Sequence, residues 1–210
     1  AGCRLIEREW NGYAKFKNWA IPQARCPWVF LLDADERVTP ELAHEIRQQL
    51  ANCPDDVDAF QVGFTTFFMG HRLRHSNWNN AAVRLIRRDV CRYRDKLVHE
   101  AFDVEPTRLR HLRHRLQHYS IHSYDQYFSK YLRYTELAAE EKWSRGGRAT
   151  FSSLLFRPFL RFFYLYVLRG GFLDGRVGIQ VCILCAFFNT FVNQARRWDK
   201  EQSAARTTIP

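Results

Sequence analysis

The spacing of apolar side chains near the start of the chain predicts a helix followed by a strand. Residues 12–24 place their large apolar side chains on one helical face, and Pro22 is expected to end or bend this helix early. The next run, Trp28 to Leu32, contains no polar residue, which is typical of a short strand buried on both faces of an α/β sheet. The predicted helical face consists of Phe16, Trp19, Ala20 and Ala24.

A second helix is predicted from its own start and stop signals. Thr39 can cap it with its hydroxyl, Pro40 fits the first helical position, and Glu41 suits the positive end of the helix dipole. Residues 52–54, Asn-Cys-Pro, are expected to stop it. A helix, a buried strand, an acidic loop and another helix in this order indicate a parallel α/β unit. The buried stripe of this helix is predicted to contain Leu42, Ile46 and Leu50.

Two later segments have the pattern of strands. Apolar residues alternate with polar residues or glycine over 60–64, and residues 83–87 form a second such segment. Between them lies a loop, residues 70–80, that is rich in His, Arg and Asn. A long polar loop between strands is more often functional than idle.

From Ser123 onward the pattern becomes helical. Ser123 and Gln126 fit a capping box, and tyrosines and alanines then recur at helical spacing to about Trp143, before a Gly-Gly pair. This change of pattern divides the chain into a predicted catalytic domain, residues 1–122, and a helical C-terminal region, residues 123–210.

The last sixty residues contain two strongly apolar segments. Phe151–Leu168 includes two arginines and a proline, and residues 177–192 include Gln180 and Asn189. A spanning helix needs about twenty apolar residues with few charges, so neither segment qualifies cleanly. Aromatic helices with arginines beside them suit an anionic membrane surface, where each arginine adds about 1 kcal/mol of attraction. The alternative is that the two segments pack on each other and on the catalytic domain.

The net charge indicates which binding partners to expect, and the cysteines indicate which cellular compartment to expect. The net charge is +10, and residues 71–119 contain twelve Lys or Arg against five Asp or Glu. Such a surplus favours anionic partners, but no zinc-finger spacing or RNA-binding aromatic motif accompanies it, so we expect no nucleic acid. The six cysteines are scattered without the spacing of a structural zinc site, which indicates reduced thiols in a cytoplasm.

The start of the sequence gives a further expectation. The chain begins with Ala1, and its only methionine is Met69. A strand leading directly into an acidic turn would be an unusual beginning for an α/β sheet. We therefore expect earlier βα units to precede Ala1 in the natural protein.

Two aspartates, Asp33 and Asp35, follow the predicted buried strand. They lie at the sheet edge where open α/β folds bind ligands. If the extended geometry continues through them, side chains two residues apart point the same way and converge. Two carboxylates suit Mg²⁺ or Mn²⁺, which complete their shells with water and substrate phosphates. An acidic turn without a metal is the alternative.

A metal on two aspartates in a basic protein predicts the transfer of a group from a phosphate leaving group. The metal would neutralise the charge that builds on a departing diphosphate, and the acceptor hydroxyl would need a general base. Glu100 is the predicted base because it lies outside the metal pair and beside His99, which can orient it. A surface glutamate in a loop at a strand end is the alternative.

Several motifs occur in one order along nearly the whole chain. They are residues 12–20 (GYAKFKNWA), 28–36 (ending in DADE), 84–88 (RLIRR), 98–100 (VHE), 118–120 (HYS) and 171–175 (GFLDG). In this order the chain resembles the family 2 glycosyltransferases of bacterial envelope assembly, especially their lipopolysaccharide-core glucosyltransferase-like branch.

The resemblance implies a fold and a reaction. The expected fold is α/β of the GT-A type, a Rossmann-like mixed sheet that lacks its N-terminal βα units and is followed by a helical C-terminal region. The expected reaction is transfer from a nucleotide-diphosphate sugar to a lipid-linked or cell-envelope saccharide, with inversion and with Mg²⁺ or Mn²⁺. The expected location is the cytoplasm, peripheral on the inner face of the cytoplasmic membrane.

The resemblance also implies roles for individual residues. The cation and the donor diphosphate would be held by Asp33 and Asp35, with His118 completing the metal shell and Glu100 acting as base. Two further residues would bind the nucleotide sugar, Lys17 and Asn18. The expected ligands of a phosphate or the acceptor are Arg84, Arg87 and His99.

Two other function classes remain open. A phosphatase with an aspartate nucleophile also uses Asp-x-Asp after a strand, but Glu36 and Arg37 follow here, where Gly-Thr or Gly-Val is usual. A non-catalytic basic protein, an inactive fragment, could bind a membrane or a polyanion. High salt would abolish such binding, and a change at Asp33 would not affect it.

Overall fold

The computed structural model describes residues 2–9, 12–75, 78–94 and 102–207. Within these residues a six-stranded mixed sheet has the order β1-β5-β3-β6-β2, with β4 paired to β3. The mixed α/β sheet followed by a helical region that we expected is therefore confirmed. The strands are β1, Trp28–Phe30; β2, Glu36–Arg37; β3, Ala59–Phe68; β4, His71–Arg72; β5, Ala81–Arg87; and β6, Leu109–Ile121.

The central strand is β3. It pairs antiparallel with β5 and parallel with β6, while β1 and β2 pair antiparallel with β5 and β6 respectively. Among the described strands β1 therefore lies at an edge. Its three residues are half-buried, and Leu32 after it is 49% exposed. The expectation of a strand buried on both faces is met only in part: Trp28 and Phe30 pack against one core and Val29 against the other, but all three stay half-buried.

The first two helices cover opposite faces of the sheet. They are α1, Tyr13–Ala20, and α2, Pro40–Ala51. Leu42 of α2 packs in one core cluster with Phe60, whereas Ile21 after α1 packs in another with Ala59. Successive residues of a strand point to opposite faces, so the neighbours Ala59 and Phe60 belong to different cores.

Local signals set the starts of two helices as predicted. The Thr39 hydroxyl accepts a hydrogen bond from the Leu42 N–H at 3.2 Å and caps α2. The Ser123 hydroxyl accepts one from the Gln126 N–H at 3.1 Å and begins α3, Tyr124–Ser144. Each cap satisfies a backbone donor that the first turn of a helix leaves without a partner.

The helix at the N-terminal end differs from its prediction in one respect. It ends at Ala20, and Pro22 lies in the 3₁₀ turn that follows, as expected. The buried side chains of this segment, however, are those of Ala14 in α1 and Ile21 in the turn, and the predicted face is only half-buried. Ala14 and Ile21 pack with Ala59 of β3 and Ile86 of β5, so these two residues, and not the predicted face, form the buried contact with the sheet.

The C-terminal region forms two long helical segments. The first is α4, Phe151–Phe163, which continues in π-helical geometry to Leu168. The second runs through α5, Gly175–Ile183, a π-helical stretch, and α6, Phe191–Thr207. Phe151–Leu168 and Gly171–Ala204 are long and apolar enough to cross a membrane, which corrects the expectation that neither qualifies. Length and composition alone give only a hint of membrane association, because a buried helix of a soluble protein passes the same criteria.

One apolar cluster joins the sheet to the C-terminal helices. Phe68 and Ile121, at the ends of β3 and β6, pack with Tyr127 of α3 and Val181 of α5. Burial raises the pKa of the Tyr127 hydroxyl far above its usual range, so this side chain stays neutral. The predicted boundary at residues 122 and 123 lies between β6 and α3, and the division into two domains stays a prediction.

Candidate active site

The two predicted metal ligands lie in the turn between β1 and β2. The Glu36 N–H donates a hydrogen bond to the Asp33 carbonyl at 3.0 Å and closes this turn. The extended geometry that we expected through Asp33 and Asp35 is therefore wrong, because the chain reverses there to pair β2 with β6. The turn gives the two carboxylates different cationic partners.

The first carboxylate faces two basic side chains. Asp33 Oδ2 accepts a hydrogen bond from Arg84 Nη2 at 2.8 Å, and Asp33 Oδ1 lies 3.5 Å from Lys17 Nζ. The Asp33 side chain is 43% exposed. Solvent reaches this carboxylate, so a charged ligand can reach it too. Lys17 and Arg84, predicted to bind the donor and a phosphate, thus lie together at Asp33.

Arg84 reaches the turn because β5 bulges at this residue. Leu85 pairs with Phe60 and Val83 pairs with Gln61, which leaves Arg84 as an extra residue of β5. A bulge bends a strand and redirects the side chain of the extra residue, and bulges are frequent beside active sites. The irregular register thus explains how a strand residue contacts the loop at the end of β1.

A buried glutamate, which the sequence analysis did not single out, fixes the arginine. Glu36 Oε1 accepts a hydrogen bond from Arg84 Nη2, and Glu36 Oε2 accepts one from the Asp33 N–H at 3.0 Å. The Glu36 side chain is 1% exposed, and the guanidinium of Arg84 lies 5.4 Å from the ring centre of Phe64. Burial raises the pKa of Glu36, and the Asp33 N–H and the charge of Arg84 oppose this effect.

The second carboxylate faces a histidine. Asp35 Oδ2 lies 3.3 Å from His118 Nε2, because Glu36 and His118 are directly opposite in the β2–β6 pair. The hydrogen bond with His118 lowers the pKa of Asp35, and the charges of His118 and Lys130 add to this effect. The structure therefore brings together Asp35 and His118, and their role as metal ligands stays a prediction.

The predicted nucleotide ligands have different surroundings. Asn18 donates a hydrogen bond to the Tyr93 carbonyl at 2.9 Å and accepts one from the Tyr93 N–H at 2.8 Å. Its amide thus holds the loop after β5, whereas Lys17 lies 5.5 Å from the ring centre of Tyr93 and also faces Asp33. The sequence did not predict a role for Tyr93, whose ring lies beside Lys17.

Arg87, a further predicted ligand, contacts a different part of the fold. Arg87 donates hydrogen bonds to the carbonyls of Val57 at 2.7 Å and Pro54 at 3.1 Å, so it fixes the loop after α2. Its role towards a phosphate or the acceptor stays a prediction. His99 and Glu100 lie outside the residues that the structure describes.

The polar loop between β3 and β5 is held by an aspartate from the C-terminal region. Asp174 accepts hydrogen bonds from the N–H groups of Arg74 at 3.0 Å and His75 at 2.9 Å, and contacts His75 Nδ1 at 3.0 Å. The local backbone is tight, since a Cβ on Gly178 would lie 1.9 Å from the Gly171 carbonyl oxygen. In the sequence, the glycines on either side of Asp174 are the feature that could have indicated this contact.

The acidic turn fits a divalent cation that arrives with a substrate. The described residues contain no group of three or more His, Cys, Asp or Glu side chains able to hold a metal. Mg²⁺ in phosphate-transfer sites usually takes one or two carboxylates and completes its shell with phosphates and water. Asp33 and Asp35 are 43% and 32% exposed and supply such hard oxygen ligands.

Comparison with known proteins shows two similarities. The family model described as Glycosyl transferase family 2 matches residues 1–133, a span that includes the acidic turn, Arg84 and His118. The chain is also 29% identical over 208 residues to the lipopolysaccharide core biosynthesis glycosyltransferase LpsC of Rhizobium meliloti (strain 1021). That alignment covers 98% of this chain and 76% of the relative.

Proposed function

The chain belongs to glycosyl transferase family 2, and from this premise we propose that it moves a sugar from a nucleotide-diphosphate sugar to a hydroxyl of a lipid-linked or cell-envelope saccharide. It is thus a glycosyltransferase, and the family implies a nucleotide-sugar donor and a saccharide acceptor. The similarity to a lipopolysaccharide core glycosyltransferase supports an envelope saccharide as the acceptor.

One observation carries the proposal most strongly, the arrangement of charges in the acidic turn. Asp33 lies between Arg84 and Lys17, and Asp35 lies beside His118. Carboxylates alone would repel a diphosphate, and basic groups alone would not hold a cation. Their combination at one partly exposed turn suits a diphosphate bound together with a divalent cation.

Each residue in the proposed reaction has one task. Mg²⁺ or Mn²⁺, when bound by Asp33 and Asp35 with help from His118, would supply charge neutralisation at the departing diphosphate. Arg84 and Lys17 would orient the phosphates. Glu100 would take the proton of the acceptor hydroxyl while its oxygen bonds to the anomeric carbon and the bond to the diphosphate oxygen breaks, which inverts that carbon.

The proposed location is the cytoplasm, on the inner face of the cytoplasmic membrane. The two apolar helical segments and the basic charge of the chain support contact with an anionic lipid surface. The nucleotide-sugar donor is a cytoplasmic class of metabolite, and a lipid-linked acceptor would lie at that surface.

The proposal is tested with purified full-length protein and a panel of nucleotide sugars. We expect diphosphate release that requires Mn²⁺ or Mg²⁺ and that falls at least about tenfold in Asp35→Asn. Asp55→Asn is the matched control, because the Asp55 side chain is fully exposed and lies 3.8 Å from Arg87, away from the acidic turn. Full activity of Asp35→Asn, or equal losses in both variants, would contradict the proposal.

A further inference from the structure

A buried arginine in the C-terminal helices has no acidic partner among the residues that the structure describes. Arg197 of α6 is 5% exposed, and its Nε atom is buried without a hydrogen-bond partner in the described part of the chain. Its Nη2 donates to the side-chain oxygen of Gln194, which also accepts a hydrogen bond from the Ser153 hydroxyl at 3.2 Å. A neutral amide does not compensate a buried positive charge, so the arrangement is unfavourable without a further partner.

Two further cations surround this arginine. Partial burial lowers the pKa of Lys142 at the end of α3, and the charges of Arg197 and Arg157 add to this effect. Lys142 and Arg157 are exposed to water, whereas Arg197 is buried. Among the residues that the structure describes, no ion pair is formed by Lys142, Arg157 or Arg197.

Three acidic side chains of α3 and α6 are paired with other arginines. They form the pairs Glu141–Arg145 at 2.6 Å, Glu201–Arg148 at 3.6 Å and Glu136–Arg196 at 3.7 Å. The C-terminal end of α3 also lies near the guanidinium, since a Cβ on Gly147 would lie 2.7 Å from the Lys142 carbonyl oxygen and 3.4 Å from Arg197 Nη1. A helix C-terminus carries only about half a negative charge, too little for three cations.

An apolar groove lies directly beside this cluster. It has a volume of about 800 Å³ between α4 and α6 and is lined by residues that include Phe151, Leu154 and Trp198. Arg197 and the two side chains hydrogen-bonded around it each precede a groove residue in sequence: Ser153 before Leu154, Gln194 before Ala195 and Arg197 before Trp198. Neighbours on a helix occupy adjoining faces, so Arg197 and the groove share one border.

We propose that Arg197, with Lys142 and Arg157, binds the phosphate of a membrane phospholipid whose acyl chain lies in the groove between α4 and α6. The charges and the groove together favour a phospholipid, since a free phosphate would leave the groove empty and an uncharged amphiphile would leave the cations unpaired. The exposed ring of Phe151, 81% accessible at the groove, is then covered by the lipid. The inference rests on the proposed contact with a membrane and not on the transfer chemistry.

The test measures binding by the full chain of three soluble probes below their micelle concentrations. Dihexanoyl-phosphatidylglycerol has both a phosphate and acyl chains, glycerol 3-phosphate has only the phosphate, and octyl glucoside has only an apolar chain. The variants are Arg197→Met, which removes the buried charge, and Phe151→Ser, which changes an exposed groove residue. Arg196→Met is the matched control, because it removes one positive charge from the residue beside Arg197. In the part of the chain that the structure describes, Arg196, unlike Arg197, already pairs with a carboxylate, that of Glu136.

We expect dihexanoyl-phosphatidylglycerol to bind more tightly than either other probe and to raise the melting temperature of the wild type. Arg197→Met should weaken this binding by about tenfold or more, the range for a hydrogen bond to a charged group, and Phe151→Ser should weaken it as well. Arg196→Met should stay within about twofold. Without lipid, Arg197→Met should melt no lower than the wild type, because an apolar side chain replaces an unpaired buried charge.

Three results would overturn the inference. Equal binding of glycerol 3-phosphate would indicate a site for free phosphate, and equal binding of octyl glucoside would indicate an apolar groove alone. A large loss of melting temperature in lipid-free Arg197→Met, with no effect of lipid on the wild type, would identify a purely structural arginine. The same measurement on Asp35→Asn separates the two proposals, since a protein inactive in transfer should still bind the lipid.

Discussion

Replacing Arg84 with methionine should destabilise the protein in a way that depends on pH. The guanidinium is the charged partner of Glu36, whose side chain is 1% exposed, and it also pairs with the half-exposed Asp33. Methionine keeps the apolar part of the side chain against Phe64 and removes the charge. The main consequence is a carboxylate buried without a cation.

The size of the stability loss depends on whether Glu36 then stays charged or takes up a proton. Breaking a buried ion pair by removing one partner costs about 3–5 kcal/mol, but the carboxylate can instead take up a proton. For a group with an ordinary pKa of 4.5, protonation at about pH 7.5 costs about 4 kcal/mol, at about 1.36 kcal/mol for each pH unit. The exposed pair with Asp33 adds about 1 kcal/mol at most. We therefore expect a loss of about 3–5 kcal/mol at neutral pH.

The sign of the pH dependence is fixed by the direction of the pKa shift. Loss of Arg84 raises the pKa of Glu36 further above its value in the unfolded chain. A carboxyl group with a raised pKa favours the fold at low pH and disfavours it as the pH rises through that pKa. The stability deficit of Arg84→Met should thus be small near pH 4.5, the ordinary pKa of a glutamate, and largest at neutral pH.

The assay is chemical and thermal unfolding of the wild type, Arg84→Met and the double variant Arg84→Met/Glu36→Gln. At about pH 7.5 the single variant should melt about 6–20 °C lower, at about 2–4 °C for each kcal/mol in a domain of this size. The double variant should recover most of this loss, because no charge remains buried. Arg94→Met is the control, since Arg94 and Asp103 form an exposed pair worth about 1 kcal/mol or less. A deficit independent of pH, or no recovery in the double variant, would refute the reasoning.

Two further predictions follow from the contacts of single carboxylates. Asp174→Ala leaves the N–H groups of Arg74 and His75 without their acceptor, so the amide hydrogens of this loop should exchange faster with solvent; unchanged exchange would contradict this. His118→Gln removes the main cause of the lowered pKa of Asp35. A lowered carboxyl pKa stabilises the fold above the unfolded value of 3.8 and ceases to do so as the pH falls through the folded pKa. The stability advantage of the wild type over His118→Gln should therefore shrink on acidification below about pH 4, and an advantage that grows on acidification would contradict it.

The elements that the sequence predicted correctly have local causes. The starts of α2 and α3 follow from the hydroxyls of Thr39 and Ser123, which bond to N–H groups three residues later. The alternation over 60–64 identifies β3 because Phe60, Val62 and Phe64 face one apolar core, whereas the residues between them are only half-buried. These features depend on residues near one another in sequence, so a short sequence pattern is enough to predict them.

The parts of the site that the sequence did not predict depend on residues far apart in the chain. The bulge at Arg84 arises from the register between β5 and β3, and no local signal marks it. Burial of Glu36 requires that β2 pair with β6, more than eighty residues away in sequence. A glutamate after Asp-x-Asp resembles one more surface acid until that pairing is known. The hold of Asp174 on Arg74 and His75 is likewise a contact across a hundred residues.

Arg84 and Arg197 are both buried, but in the described part of the chain only Arg84 is paired with carboxylates. Arg84 and Arg197 both occur in basic segments, and nothing in their neighbours in sequence separates a paired cation from an unpaired one. In the fold, Arg84 contacts the carboxylates of Asp33 and Glu36, which hold its guanidinium ready beside the acidic turn. Arg197 contacts one neutral amide and lies beside cations and an open groove. Because burial of an unpaired charge is costly, the first arrangement is complete within the protein, whereas the second is one that the proposed lipid phosphate would complete.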